Sequence, residues 1–267
     1  MIKEITQILE NNDIERIGII NIDECEVINQ RIMPEWAKSA IIFCIPYRAE
    51  SDAPNDGFSE YARVYDYHNF SKNLYKTITN QLNDSFNFNF EGFCDHSPIN
   101  EKLAAAKCGL GFIGRNSLFF DNIYGSYVFL GSIITDYICD IKPCEIKTCD
   151  NCGLCIEKCP GKSIVERGIN RDICLSAISQ KKRKTSEEYE ILKKHNIVWG
   201  CDICQSVCPH NKAAKIKPLP YFKETRIANI NKEFIMSLSD EEFNKYAFSY
   251  KGRQIVLNNM EFKDINP

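Results

Sequence analysis

The chain has 267 residues, of which 44% are hydrophobic and 26% charged, and its formal net charge is −3. This length allows one large domain or two ordinary ones, with a core that needs no disulfides. The negative net charge argues against nucleic-acid binding through a broad basic surface, although a local basic patch is compatible with it. No apolar run approaches the roughly 20 residues of a membrane span. The N-terminal MIKEITQILENND lacks the basic and apolar regions of a signal peptide, so we expect a cytoplasmic protein that does not engage a membrane.

Fourteen cysteines are a high number for a chain of this kind. Because a reducing cytosol seldom uses thiols for structural disulfides, metal binding or redox chemistry is the leading explanation. Cys25, Cys44, Cys94 and Cys108 are isolated in apolar or mixed segments and are compatible with buried small hydrophobic residues. The stretch CDNCGLCIEKC, which begins at Cys149, is too dense in cysteine for that interpretation.

The first 138 residues or so have an α/β pattern. Amphipathic spacing near 2–9 predicts a helix, and apolar runs at 16–22 and 39–47 predict strands. The second run is continuous, which is typical of a strand buried on both faces. Apolar residues near helical spacing then predict a long helix that ends around residue 83; they are Tyr61, Tyr65, Phe70, Leu74, Ile78 and Leu82.

Three further elements are predicted before the cysteine-rich region. FNFNF (86–90) alternates with a period of two, as strands do. INEKLAAAKCG (99–109) predicts a helix that Gly109 closes in the left-handed conformation. The segment 124–137 predicts another strand.

From about residue 139 to 217 the sequence changes to cysteines, lysines and short turns. Here TSEEYEILKKHN (185–196) predicts a helix opened by a capping box. Ser239 and Glu242 give the same signature in the tail. We predict three parts: an α/β or α+β domain at 1–138, a ferredoxin-like domain at 139–217, and a helical tail at 218–267 that packs on the catalytic part.

A complete ferredoxin run begins the cysteine-rich region. Cys149-x2-Cys152-x2-Cys155-x3-Cys159-Pro160 has the spacing in which three thiolates bind one four-iron cluster and the fourth binds a second cluster. Zinc is the alternative, because CxxC pairs also bind zinc, but this spacing followed by proline fits a tetrahedral zinc site poorly.

GCDICQSVCP (200–209) resembles the same run with one cysteine missing. By the same logic Cys208 returns to the first cluster, whose predicted ligands are Cys149, Cys152, Cys155 and Cys208. The second cluster then has Cys159, Cys201 and Cys204, and its fourth ligand has three candidates: Cys139, Cys144 and Cys174. We favour Cys174 because it lies fifteen residues beyond Cys159, on a segment that must pass between the clusters.

Two clusters that share ligands relay single electrons, and the long segment before them indicates a second cofactor or a substrate. The sequence contains no GxGxxG after a strand and no Walker loop, so it indicates neither a dinucleotide nor a nucleoside triphosphate. Residue patterns alone do not identify the cofactor.

Six segments, in this order, resemble the epoxyqueuosine reductase family: YARVYDYHNF, CDHSPINEKLAAAKCGLGFIGRNSLFF, YGSYVFLGSIITD, CDNCGLCIEKCPGKSI, CLSAISQKK and GCDICQSVCPHN. The resemblance covers about residues 39–260. It implies two 4Fe-4S clusters, cobalamin, and reduction of epoxyqueuosine to queuosine in a tRNA anticodon loop. It also implies an external electron donor such as flavodoxin or ferredoxin, and we expect a monomer.

The resemblance places the general acid at Asp95. A carboxyl beside an apolar corrin face can keep its proton near neutral pH, although Asp95 could instead be a turn residue before Pro98. We assign no cobalt ligation to His68. The resemblance implies further contacts with the corrinoid or substrate at Arg63, Tyr65, His68, Asp95, Arg115, Asn116, Ser117, Gly125, Ser126, Leu130, Ser176 and Gln180.

The chain departs from the family at several places. Family members commonly carry lysine at the position of Arg115, and many continue into a C-terminal helical-repeat domain that helps to hold tRNA, so we expect a short form. The basic run 181–184, with Lys212, Lys215 and Lys217, is a candidate phosphate patch or simply a solvated helix start. Two alternative functions stay open: a corrinoid reductase of the dehalogenase type and an electron-transfer protein.

Overall fold

The structure is a computed structural model that describes residues 1–50, 55–93, 96–166 and 168–264. By its internal contacts the chain forms two compact units. The described residues of the first unit belong to Met1–Pro46, His68–Gly114 and Leu118–Asp150. Those of the second belong to Tyr47–Tyr67, Arg115–Ser117 and the chain from Asn151 onward. The predicted boundaries at 138 and 217 stay predictions. Within the described ranges, no helix is both long and apolar enough to cross a bilayer.

The first unit is built on a sheet whose strand pairs are all antiparallel, in the order β1-β2-β6-β3. A smaller sheet has the order β5-β4-β7. The strands are β1 Arg16–Asn21, β2 Ser39–Pro46, β3 Phe90–Phe93, β4 Gly111–Ile113, β5 Phe119–Asp121, β6 Val128–Thr135 and β7 Lys147–Thr148. The helices are α1 Ile2–Glu10, α2 Tyr67–Ser85 and α3 Glu101–Lys107.

Strand β2 is buried along its whole length, as its continuous apolar sequence predicts. Because side chains alternate across a strand, Ile42 packs into a cluster with Ala104 and Ala105 of α3, while the Phe43 ring lies 5.7 Å from Tyr75 of α2. The central strand is therefore covered by helices on both faces although its neighbours run antiparallel. The predicted α1, β1, β2, α3 and β6 are confirmed, and Gly109 has the expected left-handed conformation, with φ of 72°.

Two predictions in this region were wrong. The long helix begins at Tyr67 rather than near Tyr61, because residues 60–63 form a 3-10 turn and Tyr65 makes an antiparallel bridge to Tyr246. Of the alternating FNFNF segment only Phe90 lies in β3, and residues 86–89 precede the strand. Its aromatic rings pack on other rings: Phe88 lies 5.5 Å from Tyr137.

The second unit consists of short helices and one small hairpin. The hairpin strands are β8 Ile164–Val165 and β9 Gly168–Ile169. The helices are α4 Leu154–Lys158, α5 Leu175–Ser179, α6 Ser186–Lys194, α7 Ile203–Ser206, α8 Pro209–Lys212, α9 Pro220–Glu224, α10 Lys232–Ser237, α11 Asp240–Phe243 and α12 Arg253–Asp264. Both predicted capping boxes are confirmed, at Thr185 with Glu188 and at Ser239 with Glu242.

The C-terminal helices share a core with the segment around residue 199. Trp199 is fully buried in a cluster with Ile235, Phe248 and Val256. Asn259 of α12 donates hydrogen bonds to the carbonyls of Ser179 and Val198 at 2.8 and 2.7 Å. The tail thus holds the chain on either side of α6.

A buried ion pair holds the segment before α2. Arg63 is 3% exposed and Asp56 8%, and Arg63 Nη1 lies 3.0 Å from Asp56 Oδ2. Asp56 also accepts hydrogen bonds from the backbone N–H of Phe58 at 3.2 Å and of Ile230 at 3.0 Å. This carboxylate therefore connects residues 56–63 to the tail.

We predict that Asp56→Ala lowers the free energy of unfolding by about 3–5 kcal/mol, because it removes the main partner of a buried guanidinium and leaves only Glu60, 4.0 Å from Arg63 Nε, as a counter-charge. Denaturant unfolding of the cluster-loaded protein measures this. The matched control is Asp240→Ala, whose carboxylate pairs with Arg253 at 3.0 Å but is 97% exposed, so little change is expected. Equal effects of the two variants would contradict the proposed role of Asp56.

Candidate functional site

The complete cysteine run, Cys149–Cys159, follows β7 and includes helix α4. Asn151 and Gly153 both have left-handed backbone, with φ of 54° and 77°. Alternation of left- and right-handed residues points successive N–H groups into one concavity, which suits an anionic group. The left-handed backbone at Asn151 and Gly153 is of the kind from which such concavities are built.

Cys159 ends α4 and is 7% exposed. Its sulfur accepts a hydrogen bond from the backbone N–H of Ser163 at 3.3 Å and lies 3.2 Å from the Ser163 hydroxyl. Hydrogen bonds to sulfur stabilise a thiolate and tune the potential of a cluster bound to it. Ser163 was missed at the sequence level; its signal is its position four residues after a cysteine that is followed by proline.

The cysteines predicted for the second cluster lie near one another. Burial raises the pKa of Cys201 to about 12, and the neighbouring thiols of Cys174 and Cys159 raise it further. The pKa of Cys204 is also raised to about 12 by burial, with further contributions from Cys201 and Cys159. Since a thiol must lose its proton to bind iron, cluster loading at this site releases protons.

Asn116 and Asp202 lie beside the cysteines predicted for the second cluster. The Asn116 side chain donates to the carbonyl of Cys204 at 3.4 Å, and its hydrogen bond to Cys204 opposes the rise in the pKa of that thiol. Asp202 accepts from the backbone N–H of Glu60 and from Gln205 Nε2, both at 2.7 Å. Burial raises the pKa of Asp202 to about 6. Sequence reasoning missed Asp202, although its place between two ligand cysteines was a signal.

The cysteines predicted to bind the first cluster come from the complete run and from the start of α8. Cys208 caps the N-terminus of α8 ahead of Pro209, and Cys152 is exposed. The ligands predicted for this cluster are Cys149, Cys152, Cys155 and Cys208. Their assignment to one cluster stays a prediction.

Several residues predicted to contact the corrinoid have other partners. Besides its ion pair with Asp56, Arg63 donates to the carbonyl of Ala228 at 3.2 Å. The Tyr65 ring packs edge-on against Tyr246, with ring centres 4.9 Å apart. His68 is exposed in the first turn of α2.

Helix α5 places Ser176 and Gln180 in the second unit. Gln180 Nε2 donates to the Tyr61 hydroxyl at 3.0 Å, and the Tyr250 hydroxyl donates to Gln180 Oε1. Ser176 is half-buried, and its carbonyl accepts from the Ser179 hydroxyl at 2.8 Å. Gln180 therefore links two tyrosines from separate segments.

The remaining predicted contacts lie in two turns, at 115–117 and 125–126, and in strand β6. Arg115, Asn116 and Ser117 belong to the second unit, and Ser117 has left-handed backbone with φ of 59°. Gly125 has φ of 61° and exchanges backbone hydrogen bonds with Asp121. Ser126 is buried, and Leu130 of β6 is half-buried. The predicted acid Asp95 lies outside the described residues.

Comparisons with known proteins agree with this organisation. Residues 148–211 match the model of a 4Fe-4S double cluster binding domain. Epoxyqueuosine reductase of Lactococcus garvieae is 27% identical over 97% of this chain and 85% of its own length. Epoxyqueuosine reductase of Aliivibrio fischeri is 31% identical over 72% of this chain and 53% of its own length.

A solved structure has the same fold. It is an epoxyqueuosine reductase with an epoxyqueuosine-modified tRNA-Tyr stem loop; it aligns with a TM-score of 0.80 at 20% identity and covers 98% of this chain and 80% of that one. Over most of its length the chain is similar to epoxyqueuosine reductases, and it shares the fold of that solved structure. The chain combines a mixed α and β fold, a match to a double-cluster domain and helices that follow that segment.

We predict that Cys174→Ala lowers the iron content by about four atoms per chain, because it removes one predicted ligand of the second cluster. Iron and sulfide analysis after anaerobic reconstitution measures the loss. Cys44→Ala is the matched control, since Cys44 is a buried cysteine of β2, and it should keep the parent's iron content. A Cys174→Ala protein with the parent's iron content would contradict the ligand assignment.

Proposed function

We propose that this chain is an epoxyqueuosine reductase, which removes the epoxide oxygen of epoxyqueuosine in a tRNA anticodon loop to give queuosine. The observation that carries the proposal is the paired cysteine runs of the double-cluster segment in a chain whose relatives are named epoxyqueuosine reductase. The reaction converts an epoxide to an alkene and water, and it consumes two electrons and two protons. The protein must therefore supply single electrons in sequence and a proton at the epoxide oxygen.

The electron relay consists of two proposed ligand sets. The first is Cys149, Cys152, Cys155 and Cys208; the second is Cys159, Cys174, Cys201 and Cys204. Their chemistry fits, because all eight donors are thiols, the turn at Asn151–Gly153 suits an anion, and Ser163 stabilises the Cys159 thiolate. We propose that an external electron donor such as flavodoxin or ferredoxin reduces the clusters. We also propose that the enzyme is a monomer.

Cobalamin is the second proposed cofactor, and when bound it supplies a strongly reducing centre next to the substrate. The start of β6 offers a suitable surface, since Val128, Phe129 and Leu130 are only half-buried while the rest of the strand is buried. Partly open apolar surface of this kind lines cofactor sites. We propose that Leu130 and Ser126 contact the corrin.

A reconstitution assay tests the proposed reaction. The full chain, loaded anaerobically with iron, sulfide and cobalamin, is incubated with a reductant and an anticodon stem loop that contains epoxyqueuosine. Nucleoside mass spectrometry should detect queuosine, and omission of cobalamin should abolish it. Failure of the loaded protein to form queuosine would overturn the proposal. Turnover of an aryl halide instead would favour a dehalogenase, and cluster reduction without cobalamin uptake would favour an electron carrier.

We predict that Asp95→Asn lowers turnover by ~10²–10⁴-fold, because it removes the proposed general acid while preserving the shape of the side chain. Single-turnover kinetics on the modified stem loop measures the loss. Cobalamin uptake and the cluster absorbance should match those of the parent, so that the defect is one of proton transfer. Turnover at the parent's rate would show that Asp95 is not the acid.

Only part of the basic run 181–184 is available for phosphate. Lys181 pairs with Glu188 at 2.5 Å, and Lys184 donates to the Lys181 carbonyl at 2.8 Å. Burial lowers the pKa of Lys184 to about 8, so its positive charge declines as the pH rises through that value. Lys182 and Arg183 are exposed, and we propose that these two contact the tRNA backbone.

We predict that the double change Lys182→Ala and Arg183→Ala weakens stem-loop binding and reduces the slope of log K against log salt by about 1.4–1.8, because two phosphate contacts are lost. Fluorescence anisotropy over a salt series measures the slope. The control changes two exposed lysines of α2, Lys72→Ala and Lys76→Ala. If the control reduces the slope as much as the test variant, the effect comes from overall charge and not from this patch.

A further inference from the structure

Four cysteines outside the ferredoxin runs lie together in the first unit. Cys25 follows a short turn after β1, Cys108 follows α3, and Cys139 and Cys144 lie between β6 and β7. They come from segments as much as 119 residues apart in sequence, and all four are free thiols. Neither the double-cluster match at 148–211 nor the proposed function uses them.

Asn21, at the end of β1, holds two of these cysteines. The thiol of Cys25 donates to the Asn21 carbonyl at 3.4 Å, and the thiol of Cys139 donates to Asn21 Oδ1 at 3.3 Å. Asn21 Nδ2 in turn donates to the carbonyl of Cys139 at 2.9 Å. Cys139 is 2% exposed, so this residue is fixed in the interior.

The end of α3 holds the other two. The N–H of Cys144 donates to the Lys107 carbonyl at 2.7 Å, and a Cβ placed on Gly109 would lie 3.0 Å from the Cys144 sulfur. Cys108 lies between Lys107 and Gly109 in sequence. Lys107 Nζ donates to the carbonyl of Glu24 at 2.6 Å, which brings the α3 end next to Cys25. Two short hydrogen-bonded connections thus gather all four residues.

The thiols are close enough to interact electrostatically. Burial raises the pKa of Cys108 to about 12, and the thiols of Cys25, Cys139 and Cys144 raise it further. Cys25 likewise has its pKa raised to about 12 by burial, with Lys107 acting in the opposite direction and Cys139 in the same one. Because a thiol must lose its proton to bind a metal, metal binding by these four residues would release protons.

The donor set contains four sulfurs and neither histidine nor carboxylate, which limits the ligand to a thiophilic metal centre. Among the described residues, no three His, Cys, Asp or Glu side chains are placed so that they could hold one metal ion. This includes the predicted second-cluster ligands, which are Cys159, Cys174, Cys201 and Cys204. Thiolates of a four-iron cluster bind separate iron corners and stand apart, whereas those of zinc share one ion at about 2.3 Å.

We propose that Cys25, Cys108, Cys139 and Cys144 ligate a third iron–sulfur cluster. This cluster ties the segment between β6 and β7 to the ends of β1 and α3, and Lys107 offsets part of its negative charge. It gives the first unit a one-electron centre of its own. The proposal does not depend on the reaction proposed above, because metal content is measured without substrate.

Metal analysis of the full chain tests the proposal. After anaerobic reconstitution, the parent should contain about two to four iron atoms beyond the roughly eight of two four-iron clusters, with matching sulfide. The double variant Cys25→Ala with Cys108→Ala should lose only this excess, while Cys44→Ala should keep it. A parent with about eight iron atoms, or with one zinc in place of the excess iron, would overturn the proposal.

A second measurement avoids buried substitutions that could impair folding. Cys144 is exposed in the structure, so iodoacetamide should label it readily in protein stripped of metal. In the reconstituted parent, peptide mapping should find Cys144 protected to the same degree as Cys174. Rapid labelling of Cys144 in the reconstituted parent, with Cys174 protected, would equally overturn the third cluster.

Discussion

The constraint on which the second unit depends is that thiols far apart in sequence must meet in one buried place. Cys174 immediately precedes α5, whose Leu175 and Ile178 are buried against Leu192 of α6. Because the α5 core contacts fix the start of that helix, they also fix the position of Cys174. Bringing these sulfurs together buries the thiols, and burial raises the pKa of Cys201, which opposes its deprotonation. Metal ligation favours the thiolate and so offsets this effect.

The segment at 55–65 is built into the same unit as the cysteines. Phe58 makes a parallel bridge to Trp199, and the N–H of Ser59 donates to the Trp199 carbonyl at 2.9 Å. The N–H of Glu60 then donates to Asp202, between Cys201 and Cys204. The cysteine segment is therefore hydrogen-bonded to the backbone that carries Arg63 and Tyr65, the residues that the family resemblance places near the substrate.

Features specified by neighbouring residues were predictable from the sequence. The capping box of α6 and the spacing of Cys149–Cys159 each involve fewer than a dozen consecutive positions, and β2 is identified by its own apolar run. The start of α2 was not predictable, because Tyr65 leaves the helical pattern to pair with Tyr246, a tail residue. The group around Cys108 was missed for the same reason. Its members share no local spacing, and only the fold brings them together.

The short helices of the second unit explain why its order should depend on metal. Helices α4, α7 and α8 have five, four and four residues, far below the length at which an isolated helix is stable in water. Each lies next to, or contains, a cysteine of the paired runs, while the cluster of buried residues around Leu175 has only four fully buried members. So small an apolar core contributes little of the free energy that ordering these segments requires. Outside the larger core around Trp199, thiolate ligation supplies part of this free energy, so cluster binding is coupled to the ordering of these short helices.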